Sequence, residues 1–391
     1  MRSTKGFILA FLLLLVALPS WAYDGPVEKK VFSLPSYTTV GGQTIKNVRI
    51  GYETYGTLSP ARDNVVLIAH FFSGNSHAAG KYKPTDPAPG YWDPIIGSGR
   101  PIDTDKFFVI SCDTLVNLNV KDPNTVTTGP ASINPDTGRP YGMSFPIVTI
   151  RDFVNVQKVL LDSLGIKKLR AVTGASMGAI QSFEWAAAYP EMVERIIPVI
   201  GTAEADAFLV GWMNLWSAPI LLDPRWNRGD YYGKDEPTEG LALKIVTLHA
   251  RHPGWAGKTF GRKWAAGEKD PAKSWENKFA IEDTLDKVAA ARAKVGDANS
   301  FLYLAKANQL FVVGHKGTLD EGLKGVKAKV LLIPARSDIL LFPDYSKQAM
   351  EILKKQGKQV EYFEIEGDGG HLDGVLAIAK AGETIRKFLG E

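Results

Sequence analysis

The sequence predicts an α/β fold in which a mostly parallel sheet, flanked by helices, carries an inserted helical cap. Three observations lead there. Apolar strand-like runs alternate with helix-period segments, a serine turn joins one such strand to a helix, and a Trp-rich helical stretch interrupts the alternation.

Taken in order, the strand-like runs are Val65–His70, Phe107–Ser111, Leu169–Thr173, Ile196–Ile200, Val330–Pro334 and Val360–Ile365. Arg151–Leu164 places apolar residues at helical spacing and stops at Gly165, and Ile180–Tyr189 does the same before Pro190. From Glu204 to Ser300 the pattern turns helical throughout. Six of the nine tryptophans fall there (Trp212, Trp216, Trp226, Trp255, Trp264 and Trp275), so this stretch buries or presents aromatic surface. An insertion at that point of the alternation would lie over the C-terminal edge of the strands as a cap, leaving 23–203 and 301–391 as the core.

The first 22 residues read as a secretory signal peptide. Arg2 and Lys5 precede the apolar run Phe7–Leu18, Pro19 breaks it, and Ser20 and Ala22 supply small residues before a cut expected after Ala22. The run is too short to span a bilayer comfortably, so no membrane anchor is expected in the mature chain. The expected address is periplasmic or secreted. With 46 basic and 42 acidic residues and no basic cluster, the charge gives no reason to expect nucleic acid. At 45 % hydrophobic the chain can build a large core, which it needs: the single Cys112 cannot form an internal disulfide. A homodimer is compatible with the sequence.

The chemistry concentrates in a few positions. Gly174-Ala175-Ser176-Met177-Gly178 follows the strand at Leu169–Thr173 and opens a helix. That is the setting of a nucleophile elbow, whose glycines let the chain turn sharply enough to project Ser176 Oγ at the helix N-terminus. A serine needs a base, and the base an orienting acid, in the chain order Ser, Asp, His for an α/β-hydrolase. His371 alone among six histidines lies beyond the last strand, and Asp338 follows the strand at Val330–Pro334; Asp368 and Asp373 are the rivals for the acid. An oxyanion hole requires two N–H donors, expected from Met177, after the nucleophile, and from Phe72, in the loop after the first core strand. His249 and His252 are three apart but lack acidic or Cys companions, so no metal is expected, and no phosphate loop calls for a nucleotide cofactor.

Several motifs resemble the homoserine O-acetyltransferase group of α/β-hydrolases: Ser73-Gly74-Asn75-Ser76-His77, Gly90-Tyr91-Trp92-Asp93, the stretch from Gly129 to Asp152, the elbow itself, and Leu222-Asp223-Pro224. The resemblance runs from about Tyr52 to the C-terminus. It implies a capped α/β-hydrolase core, a seryl acyl-enzyme and, for the group's namesake reaction, acetyl-CoA as donor. Where the group places an Arg for the homoserine carboxylate, this sequence has Ser217, with Trp212 and Trp216 beside it. Where the group has Asp after the catalytic His, Leu372 stands here, and Asn119 to Asn124 replace a Gly-rich segment. Without a cation for a charged acceptor, the expectation is a secreted esterase acting on a small ester, or less readily an amide, with Trp212, Trp216 and Ser217 as substrate contacts. The alternative is homoserine O-acetyltransferase.

Overall fold

The computed structural model describes residue 23, residues 25–234, residue 237 and residues 239–390. The signal peptide expected over residues 1–22 lies outside them.

Eight strands form one sheet: β1 (Lys30–Thr38), β2 (Thr44–Tyr55), β3 (Val65–Ala69), β4 (Phe108–Cys112), β5 (Ala171–Ala175), β6 (Arg195–Val199), β7 (Lys329–Leu332) and β8 (Val360–Tyr362). Their spatial order is β1-β2-β4-β3-β5-β6-β7-β8. All neighbours from β4 to β8 are parallel, while β1 with β2 and β2 with β4 are antiparallel. The central strands β3, β5 and β6 are buried at every position, as parallel strands covered on both faces must be. The first two strands did not stand out in the sequence. β1 is an edge strand with a partly exposed, polar-rich pattern and Pro35 inside it, a residue that only an edge tolerates.

Helices α1 (Ile150–Ser163) and α2 (Met177–Ala188) cover the sheet between strands. Thr149 caps α1 reciprocally with Asp152. The same Asp152 carboxylate accepts from Tyr37 Oη at 2.7 Å and from the Val40 amide at 2.7 Å, tying the β1–β2 hairpin to the helix. Much of the distinctive stretch ending at Asp152 thus does structural work. Between β6 and β7 lie α3 (Ala207–Leu222), α4 (Glu239–His249), α5 (Pro253–Thr259), α6 (Ala280–Ala293), α7 (Ala298–Gln309) and α8 (Leu319–Lys324). Helix α7 runs through the boundary expected at residue 300 and packs on α3, so helix connects core and cap there rather than a loop. No helix among the described residues is long and apolar enough to cross a membrane.

The elbow depends on a close approach between β3 and the β5–α2 turn. A Cβ built on Gly174 would lie 2.2 Å from the Ala69 carbonyl oxygen, and one on Gly178 would lie 2.0 Å from the same atom. Gly178→Ala should therefore force the strands apart and destabilise the protein by about 1–3 kcal/mol. The check is chemical denaturation. An unchanged midpoint would mean the contact relaxes freely.

Candidate active site

Ser176 occupies the turn between β5 and α2 with φ 56° and ψ −118°, a left-handed conformation costly for a residue with a side chain. The surrounding structure holds it there. Its own amide donates to Val199 O at 2.9 Å, and its carbonyl begins α2 by accepting from Ile180 N.

His371 lies in a short helical turn after β8, 6 % exposed, where Gly370 supplies a positive φ of 73°. Its Nδ1 meets Asp338 Oδ2 at 2.6 Å. Asp338 Oδ1 accepts from the amides of Leu340 at 2.8 Å and Leu341 at 3.0 Å. Both carboxylate oxygens are thereby engaged, which suits an ionised acid that fixes the imidazole orientation. The rival acids are occupied elsewhere. Asp368 pairs with Lys258 at the surface, and Asp373 accepts from the Gly369 amide at 2.9 Å. Ser176 and His371 line one cavity, without a hydrogen bond closed between Oγ and Nε2, as is common before substrate tightens the site.

The oxyanion side is built by the loop after β3. Asn117 Nδ2 donates to Gly74 O at 3.0 Å, Asn119 Nδ2 to Ser73 O at 3.1 Å, and the Ser76 amide to Asp113 Oδ1 at 2.7 Å. The segment from Asn119 that replaces the Gly-rich stretch is thus part of a clamp on this loop. Among the described residues no protein acceptor takes the N–H of Phe72 or of Met177, the two donors expected from sequence. The Phe72 ring packs edge-on against Trp216 and Phe301.

The cavity above Ser176 has a volume of about 280 Å³ and is walled by both core and cap. Of the three cap residues expected to meet substrate, only Trp216 lines it. Trp212 stacks on His249 with ring centroids 3.8 Å apart, and Ser217 turns its hydroxyl back to Met213 O at 2.8 Å. Ser217 faces a separate pocket beside Met143 and Lys306. Two arginines that sequence reasoning passed over, and His249, which it weighed only as a metal ligand, stand close to the chemistry. Arg251 and Arg292 both line the cavity, with Arg251 stacked on Trp255 at 4.6 Å. His249 accepts the Trp216 indole N–H at 3.2 Å and so orients that ring. The signal for Arg292 was available: Thr284, Val288 and Arg292 recur at four-residue spacing, one face of α6.

Burial pushes the His249 imidazole down from 6.5 to about 4, with the nearby His371 ring adding to the shift. The unfolded chain takes up this proton near the ordinary value, whereas the folded chain refuses it until about pH 4. Stability should therefore be lost as pH falls from about 6.5 toward 4, and His249→Phe should flatten that loss in urea titrations repeated across this window. An identical slope in the variant would contradict a neutral His249. In catalysis, Asp338→Asn should lower turnover about 10²–10⁴-fold, while Asp368→Asn stays within a few-fold of the parent. A mild Asp338→Asn phenotype in initial rates would move the acid elsewhere.

Comparisons with known proteins bear on this geometry. The family described as alpha/beta hydrolase fold matches residues 98–376. A homoserine O-acetyltransferase from Methanococcoides burtonii is 40 % identical over 89 % of this chain and 70 % of its own length. Among solved structures, a homoserine O-acetyltransferase from Bacillus anthracis superposes with a TM-score of 0.90 at 39 % identity, covering 94 % of this chain and 98 % of that one. Esterase E22 superposes with a TM-score of 0.89 at 50 % identity, covering 93 % and 100 %.

The acetyltransferase relatives correct the expectation of a secreted esterase, and the cavity supplies the physical reason. That expectation rested in part on the want of a cation for a charged acceptor, judged from Ser217, yet Arg251 and Arg292 stand in the cavity wall. The chain is an enzyme of the α/β-hydrolase family and belongs to its homoserine O-acetyltransferase-like group.

Proposed function

We propose that the protein is an acyltransferase that moves an acetyl group from a thioester donor, acetyl-CoA, to the hydroxyl of homoserine through a seryl acyl-enzyme. The observation that carries this reading is the joint presence, in one cavity, of Ser176, His371 and two arginines, in a chain 40 % identical to a homoserine O-acetyltransferase.

Each step has a residue to perform it. His371 takes the Ser176 hydroxyl proton as Oγ adds to the thioester carbonyl. The N–H groups of Phe72 and Met177 receive the resulting oxyanion, an interaction worth about 10²–10³ in rate per donor. Collapse breaks the C–S bond, and the protonated imidazole returns its proton to the departing thiolate. The acceptor hydroxyl then loses its proton to His371 and adds to the acyl-enzyme carbonyl; collapse frees the O-acetyl ester and returns the proton to Ser176. Asp338 orients His371 through both half-reactions.

Room beside the nucleophile favours a short acyl group. A second crevice at Ser176, bounded by Phe72, Leu209, Met213 and Trp216, measures about 20 Å³. That is space for about one water-sized group, and so for the methyl of an acetyl.

The test is to incubate the purified protein with acetyl-CoA and homoserine and follow O-acetylhomoserine together with free thiol. Product should track thiol release closely and stop with Ser176→Ala. Thiol release without acetylated product would show that water resolves the acyl-enzyme, and would overturn the acyltransferase reading. With p-nitrophenyl esters as surrogate donors, acylation should fall by at least about tenfold from acetate to hexanoate if the crevice bounds the acyl chain. Equal burst rates for the two would remove that bound.

A further inference from the structure

Trp216 stands between two spaces that meet at the nucleophile. Together with Phe72, Ser176 and Leu340 it lines both the chamber of about 280 Å³ and the acyl crevice of about 20 Å³. Ser176 and Phe72 serve the chemistry itself and Leu340 holds the acid, which leaves Trp216 as the cap's own part of this shared wall. The indole is 2 % exposed, so its N–H needs a protein acceptor. That acceptor is Nδ1 of His249, the last residue of α4, at 3.2 Å. An indole N–H only donates, so Nδ1 is bare and the proton of the neutral imidazole sits on Nε2. The Ile339 carbonyl, one residue from the catalytic acid Asp338, accepts from the same imidazole. Trp212, one turn earlier on α3, stacks on it with centroids 3.8 Å apart, and Phe72 meets the Trp216 ring edge-on at 5.8 Å. The group that holds the indole is thus itself held, by a stack and by a hydrogen bond.

We infer that Trp216 is the partition that keeps the acyl group of the seryl intermediate in its own crevice, and that His249 is the positioning residue that fixes this partition, so that the pair sets acyl-chain length. The inference rests on the acyl-enzyme and crevice of the reading above, but not on which nucleophile resolves that intermediate. In the observed orientation the crevice has space for a methyl, and the chamber stays open to the other reactant. An indole deprived of its acceptor must leave that orientation or keep a buried donor unpaired, which is costly. A turned or shortened side chain joins crevice and chamber at Ser176, and an acyl chain several carbons long then fits. Leu209 and Met213 also bound the crevice, but neither lines the chamber, so neither separates the two spaces.

Bursts of p-nitrophenol from p-nitrophenyl acetate and hexanoate read acylation alone. The parent should favour acetate by about tenfold or more. In Trp216→Ala the preference should fall to about threefold or less, through faster acylation by hexanoate. Trp216→Phe keeps a ring against Phe72 and should move the same way by a smaller amount, which preserves the test if the alanine variant fails to fold. His249→Phe keeps a ring against Trp212 but accepts no hydrogen bond, and should also lose most of the preference. His249→Asn presents an amide oxygen to the indole and should retain most of it. If the two side chains only packed the cap, melting temperature and both burst rates would drop together at the parent ratio, and that result in Trp216→Phe and His249→Phe overturns the inference. So does a parent that takes both esters equally. A ratio that falls in the Trp216 variants but not in His249→Phe overturns the role of His249. Altered ratios without any O-acetylhomoserine formed from acetyl-CoA would instead leave the partition standing and remove the acyltransfer reading.

Discussion

The active site depends on a backbone contact before it depends on any side-chain chemistry. The carbonyl oxygen of Ala69, the last residue of β3, sits where a Cβ on either Gly174 or Gly178 would collide with it. Only two glycines flanking the nucleophile allow the turn to pass so close. The strain at Ser176, with its positive φ, is sustained because strands on both sides fix the turn. Since the oxyanion loop begins one residue after Ala69, the same contact sets the distance from nucleophile to oxyanion donors. One approach between two strands therefore positions half the catalytic apparatus.

The other half is assembled from loops that leave the sheet at β7 and β8. Asp338 is held by two backbone amides and by His371, so its orientation is fixed without any cap residue. This explains why the triad and the core were readable from sequence: Ser176 and Asp338 follow buried strands, His371 follows the half-exposed edge strand β8, and order along the chain reflects position along the sheet edge. The parallel strands declared themselves as continuous apolar runs. The β1–β2 hairpin did not, because a polar-rich edge strand containing proline has the composition of a loop.

The cap was legible only in outline, for a different reason. Which face of a cap helix meets the core is decided by tertiary packing, and α3 carries almost equally apolar surface all round, with Phe208, Leu215 and Leu222 exposed beside buried Met213 and Trp216. Its sequence therefore could not say that Trp216 would look into the cavity while Ser217 looked away. Reading Ser217 as the place of acceptor recognition contributed to the esterase expectation, beside the expected export signal and the two tryptophans of α3. The charge it lacked came from the end of α4 and from α6, well away in sequence.

Acyl transfer and ester hydrolysis share the acyl-enzyme and part only at its resolution. Water needs no binding site, whereas an alcohol acceptor competes with it only when held with its hydroxyl at the carbonyl and its proton toward His371. Such positioning is worth effective molarities on the order of 10⁵ M or more, far beyond what dissolved acceptor supplies. The contacts that choose the reaction are therefore remote from the triad, and an intact Ser176, His371 and Asp338 leave the choice open. In this protein the remote contacts belong to the cap, whose Arg251, Trp255 and Arg292 wall the cavity over Ser176.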